Sequence, residues 1–254
     1  MTDMAGAPLI QVRNLVQRIG AQEILRGLSL DIFPGETLVL LGKSGGGKSV
    51  FLRHLIGLMK PVSGEIVFEG TNIEHLDERR LEPVRRKIGM VFQDGALFDS
   101  MTVFDNVAFP LRERGEKNED RIREKVIETL GRVNMNGHEH KMPVNLSGGM
   151  RKRVSLARAI ISPPDVILYD EPTAGLDPIV SDSINRLIRR MQRTLKLTSV
   201  IVTHDMVSAY HVGDRVALLN DGRIHFYGTL EELRDTKDAI VRDFVEGRSQ
   251  DTDL

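Results

Sequence analysis

The chain has 254 residues, with 35 lysines and arginines against 36 aspartates and glutamates, for a formal net charge of -1. That balance gives no general attraction to nucleic acid or acidic lipid, and 41% hydrophobic with 28% charged residues suits a cored globular protein, not a membrane-embedded one. The absence of cysteine excludes a disulfide framework, a thiolate nucleophile and a thiolate metal site.

In chain order, Met1–Asn14 lacks a basic segment followed by an apolar run, so no signal peptide is expected there. No apolar stretch approaches the roughly 20 residues a spanning helix needs. Leu9–Val16, Leu28–Phe33 and Glu65–Glu69 read as antiparallel strands at one edge. Thr37–Leu41 is apolar without alternation, as in a strand buried on both faces of a parallel sheet. Phe51, Leu55 and Leu58 then recur at helical spacing. Ile88–Phe92 is a second buried strand. From about Gly95 to Pro143 strand runs are missing, and the charged stretch Asn118–Arg132 predicts a helix within an inserted helical subdomain. Met150–Ile161 reads as a helix stopped by Pro163-Pro164. Val166–Tyr169 and Ser199–Thr203 are two more buried strands, separated by the stripe Ile184, Leu187, Ile188, Met191 and Leu195. Val216–Asn220 and Arg223–Tyr227 flank Asp221-Gly222 as a hairpin. Ser249–Leu254 is polar and expected to fray. Alternating strands and helices imply α/β architecture.

Three places carry chemistry. Gly42-Lys43-Ser44-Gly45-Gly46-Gly47-Lys48-Ser49 fits G-x-x-x-x-G-K-[ST] between a buried strand and a helix. Glycines let backbone N–H groups curl around phosphates, and the helix start adds partial positive charge. Lys48 is placed to reach the β and γ phosphates, with the Ser49 hydroxyl on Mg²⁺. A glycine-rich turn that binds nothing is the plain alternative. Asp170 and Glu171 follow four apolar residues at a strand's C-terminal end, where open α/β sheets bind ligands. Asp170 suits a Mg²⁺ contact and Glu171 a base for an attacking water; alone, the pattern is an ordinary strand meeting solvent. Ser147-Gly148-Gly149 opens a helix and could hold a second anion, or Ser147 could simply cap it.

With these motifs in place, the chain resembles an ABC-transporter nucleotide-binding domain over nearly its whole length. The order phosphate loop, Gln93, Leu146-Ser147-Gly148-Gly149, strand-Asp170-Glu171, Ala174-Gly175-Leu176-Asp177 and His204 matches that family. The resemblance implies a P-loop NTPase of ABC type: a mainly parallel sheet, an antiparallel β edge and an inserted helical subdomain. It implies one ATPase domain over residues 1–254, with 1–94 and 163–247 as core, 95–162 as helical subdomain and signature helix, and 248–254 as tail. It also implies a homodimer in which Ser147, Gly148 and Gly149 reach the γ-phosphate held by the opposite copy. Gln93 would contact Mg²⁺ and the attacking water, His204 the γ-phosphate, and Asp177 the dimer seam, although Asp177 could also cap the helix beginning at Pro178. Val50 stands where threonine is frequent and contributes its backbone N–H. Only Ile19 stands where an aromatic usually stacks on adenine, and Met150 replaces the usual glutamine.

The run from Asp94 to Glu113, and Lys141-Met142-Pro143 before the signature, resemble the ATPases of Mla- and Mce-type phospholipid transporters (MlaF-like). Phe98, Met101 and Phe104, read as lying on a loop, offer an apolar surface for a partner helix or form satellite core. The resemblance implies integral permease subunits, an Mce-type lipid-binding protein, ATP and Mg²⁺ as ligands, and a place on the cytoplasmic face of the inner membrane, held there through partners. An importer ATPase for amino acids or another small solute is the alternative. A nucleic-acid machine fits less well: the interval before the signature has no sustained heptads, and Arg186, Arg189, Arg190, Arg193 and Lys196 interleave with an apolar stripe as on a solvated helix face.

Overall fold

The computed structural model describes residues 6–248. Its elements, in order, are β1 (Ile10–Ile19), β2 (Gln22–Ile32), β3 (Thr37–Gly42), α1 (Lys48–Leu55), β4 (Ser63–Phe68), β5 (Thr71–Asn72), α2 (Glu78–Arg86) and β6 (Ile88–Val91). There follow α3 (Val103–Glu113), α4 (Glu119–Arg132), α5 (Gly148–Ile160), β7 (Val166–Asp170), α6 (Pro178–Leu195) and β8 (Thr198–Thr203). The chain closes with α7 (Met206–Val212), β9 (Arg215–Asn220), β10 (Arg223–Thr229), α8 (Leu230–Asp235) and α9 (Ala239–Glu246). The expected frayed tail, Ser249–Leu254, lies outside the described residues. The chain divides into two compact units, one made of the residues up to Arg85 with those from Thr198 onward, the other of Arg86–Leu197.

In the first unit, β2, β1, β4 and β5 form an antiparallel sheet. Ile10 and Val12 of β1 face the core, and the register then shifts between Val12 and Leu15, where Asn14 has φ 49°. A bulge adds one residue and so moves the buried positions from even to odd numbers, to Leu15 and Gln17. Beside this sheet in sequence but not in pairing, β3 lies between β8 and β9, parallel to both, and β10 returns antiparallel to β9. All six residues of β3 and all six of β8 are buried, which is why neither alternates. The hairpin turn is at Asp221-Gly222, both with positive φ. Leu58, expected on the stripe with Phe51 and Leu55, lies past the end of α1 and is 55% exposed.

In the second unit, β6 and β7 run parallel in register Ile88↔Val166 to Val91↔Tyr169. Helix α5 packs on β6, α3, α4 and α6. Ile184, Leu187, Ile188 and Met191 of α6 are buried as their spacing predicts. Helix α3 lies in the stretch expected to be helical, although it was not read as a helix itself. Phe104, read as a loop residue, lies on α3, which Thr102 caps by accepting from the Asp105 backbone N–H at 3.1 Å.

Candidate functional site

In the first unit the phosphate loop has the backbone its sequence demands. Gly45 and Gly47 have φ of 74° and 98°, and a Cβ on Gly47 would lie 2.8 Å from Ile24 Cγ2. Conformation and space thus both require glycine there. Gly47 opens α1 without a side-chain cap, and the first turn holds no acidic residue of its own, which suits the helix start to an anion. Lys43, Ser44 and Gly45 stand exposed at the rim. The Lys48 side chain is 5% exposed, and its Nζ donates to the Gly42 carbonyl at 2.8 Å and the Lys43 carbonyl at 3.0 Å. Its ammonium is therefore held at the loop's rim by two acceptors that a phosphate oxygen could replace. Val50 lies in the first turn of α1, where its backbone N–H keeps its place whatever its side chain. His204 directly follows β8, is exposed, and shares with the phosphate loop the C-terminal edge of the paired strands β3 and β8. Ile19, at the end of β1, is 51% exposed.

The second unit gathers the carboxylates and the glutamine. Asp170 ends β7, Glu171 follows it and Gln93 follows β6, so all three sit at the C-terminal edge of one parallel pair. Asp170 and Glu171 are 7% and 8% exposed, while Gln93 is exposed. Glu171 has φ 45°, the left-handed region that few non-glycine residues adopt. Such strain persists only where neighbours over-determine it. The Glu171 carbonyl accepts from the Ala174 N–H at 3.2 Å and from Lys152 Nζ at 3.3 Å. Lys152 Nζ also donates to the Gln93 carbonyl. Burial pushes the Lys152 ammonium below its ordinary pKa, and the carboxylates of Asp94, Asp170 and Glu171 pull it back up.

Ser147 caps α5, its Oγ accepting from the Met150 N–H at 3.3 Å. Its structural role is thus real, and it leaves Ser147 exposed at a helix start. A Cβ on Gly149 would lie 2.6 Å from Val180 Cγ1, and one on Gly148 2.9 Å from Leu176 Cδ2. These glycines admit the start of α6. Asp177 caps α6, Oδ1 accepting from the Ile179 and Val180 N–H groups at 3.0 Å each. The same unit carries a cavity of about 380 Å³ whose lining includes Arg86, Phe92, Phe98, Phe109, Arg114 and Arg158. Phe98 is 41% exposed, packs on Phe109 at 4.8 Å between ring centroids and lies under the Arg158 guanidinium. Met101 and Phe104 are half-buried beside this loop and do not line the cavity.

Three residues escaped sequence reasoning. Lys152 was legible in principle, as a cation sharing a helix face with Ser155 and Leu156, both buried. Arg158 donates to the Gly95 and Ala96 carbonyls, at 3.0 and 2.8 Å. Asn106, fully buried, shapes the Phe98 loop: its Nδ2 donates to the Phe98, Met101 and Thr102 carbonyls, and its Oδ1 accepts from the Phe98 N–H.

Comparison with known proteins agrees with this geometry. The ABC transporter family profile matches residues 25–174. The Haemophilus influenzae intermembrane phospholipid transport system ATP-binding protein MlaF is 41% identical over 95% of this chain and 91% of its own. The Mycobacterium leprae probable ribonucleotide transport ATP-binding protein mkl is 44% identical over 94% of this chain and 69% of its own. Among solved structures, a dimeric ATP-binding cassette in a post-hydrolysis state, bound to ADP and Pi, superposes with a TM-score of 0.80 at 32% identity, covering 87% of this chain and 98% of that one. With a phosphate loop, a strand-end carboxylate pair and a glycine-opened signature helix in the family's order, the chain belongs to the ABC transporter family, as an ATP-hydrolysing cassette of the MlaF-like kind.

Proposed function

We propose that this chain powers phospholipid movement at the cytoplasmic face of the inner membrane, as a homodimer beneath two permease subunits that work with an Mce-type lipid-binding protein. The observation that carries the reading is the near full-length match to a phospholipid-transport ATPase, 95% of this chain against 91% of the relative. The ribonucleotide-transport relative supports a second reading, a small-solute transporter, but this chain spans only 69% of that protein.

In this reading the whole chain works as one ATPase domain. Residues 42–50 bind the phosphates of ATP through backbone N–H groups and Lys48, with Ile19 against the base by apolar contact. A hydroxyl, an amide and a carboxylate, from Ser49, Gln93 and Asp170, are the hard oxygen donors that suit Mg²⁺, which when bound neutralises phosphate charge. Glu171 orients and deprotonates the attacking water, His204 donates to the γ-phosphate, and Gln93 reports its presence. Ser147, Gly148 and Gly149 of a second copy complete each site, and Asp177 couples the two at the seam. The cavity under Phe98 receives a permease helix with an apolar face. Arg86, Arg114 and Arg158 line that cavity, so that helix should also carry a carboxylate.

Purification of the chain from native membranes, followed by identification of the co-purifying proteins and lipid, tests this directly. A permease with an Mce-type protein and bound glycerophospholipid is the expected outcome; a soluble solute-binding partner would transfer the assignment to the small-solute reading.

A further inference from the structure

Helix α5 does more than present the signature at its first turn. Lys152, about one turn along, is 7% exposed, so its ammonium has given up most of its water. In return it donates to two main-chain carbonyls that are far apart in sequence, those of Gln93 and Glu171. Both belong to residues assigned above to the reaction centre, and both lie at the ends of the parallel strands β6 and β7. The Glu171 peptide is the strained one, at φ 45°. A buried cation on its carbonyl is a physical reason for that conformation to persist. Arg158, further along the same helix, fixes the Gly95 and Ala96 carbonyls, and Ala96 too has positive φ. The backbone that aims Gln93 and the backbone that aims Glu171 are therefore both fastened to the helix that begins at Ser147.

The geometry points to Lys152 as a positioning residue for hydrolysis, one that touches neither nucleotide nor water and sets the aim of Glu171 and Gln93 through their carbonyls. The inference rests on the proposed role of Glu171 as the base. It assigns Lys152 to the chemical step and not to nucleotide capture, because its ammonium donates to the main chain of the two residues given hydrolytic roles. Misplacing a catalytic group by about 1 Å, or removing a residue that orients one, lowers turnover roughly 10- to 100-fold.

The test measures steady-state ATP hydrolysis, nucleotide affinity and Tm for the full chain with Lys152→Met, Lys152→Gln, Lys152→Arg and Glu171→Gln. Methionine keeps length and removes the donors; glutamine keeps a donor if methionine does not fold; arginine restores cation and donors together. The expected result is a kcat roughly 10- to 100-fold lower for Lys152→Met, with KM and nucleotide affinity within about twofold of the parent and recovery in Lys152→Arg. Unchanged kcat in Lys152→Met overturns the inference. So does a parallel loss of affinity, or a loss of Tm that Lys152→Gln and Lys152→Arg share, since either marks a purely structural lysine. Glu171→Gln separates the two layers: parent-like turnover in that variant would defeat the assignment of the base itself, whereas a dead Glu171→Gln beside an active Lys152→Met defeats only the role of Lys152.

Discussion

The phosphate loop and the turn at Glu171 are both strand-end structures, but they are held in opposite ways. The loop between β3 and α1 keeps its shape with its own glycines and the return of Lys48 onto Gly42 and Lys43, all within eight residues. The turn after β7 takes its support from α5, 19 residues away in sequence, and shares that support with Gln93. On the proposed roles, binding rests largely on local geometry and hydrolysis on tertiary contacts. A substitution in the first should cost nucleotide affinity, and one in the second should cost turnover.

The largest effect that would break this division lies in the loop. Lys48→Ala removes charge-assisted hydrogen bonds worth about 1.5–3 kcal/mol, so nucleotide affinity should fall roughly 10- to 100-fold. Equilibrium binding of a fluorescent ATP analogue reads this, and unchanged affinity would remove Lys48 from the phosphates. Gly149→Ala sharpens the second half of the comparison. Its Cβ would meet Val180 Cγ1 at 2.6 Å, and overpacking of that kind costs about 1–3 kcal/mol. Turnover should fall along with stability while the affinity of the isolated chain for nucleotide stays near the parent's; a stable variant with full turnover would mean that α6 yields at no cost. The smallest effect is at the Phe98 loop. Thr102→Ala deletes the cap of α3 and should cost about 1 kcal/mol, seen as a Tm lower by roughly 2–4 °C with intrinsic ATPase activity retained.

The same contrast explains what the sequence made legible. Buried strands such as β3, β7 and β8 announce themselves because burial on both faces requires an unbroken apolar run. The phosphate loop does so because its geometry is local. The loop and helix around Phe98 did not. Pro110 lies inside α3 and Asn106 on its buried face, so the helical stripe is interrupted by a polar residue whose partners are the carbonyls of the preceding loop. Lys152 was passed over for a related reason. A lysine on a helix is normally solvated, and the carbonyls of Gln93 and Glu171 with the carboxylates of Asp94, Asp170 and Glu171, all brought there by other elements, make its burial tolerable. Leu58 shows the reverse error, an apolar residue in helical register that falls past the end of α1. The bulge at Asn14 likewise shifted the buried face of β1 without any apolar cue of its own.

The central proposal is that neither copy of this chain owns a finished reaction centre. Light scattering of purified Glu171→Gln, with and without Mg-ATP, measures it most directly. The expected result is one chain without nucleotide and a stable pair with two trapped ATP molecules in its presence. A Glu171→Gln chain that holds ATP and stays single, or one that turns ATP over at the parent's rate in that state, would contradict it.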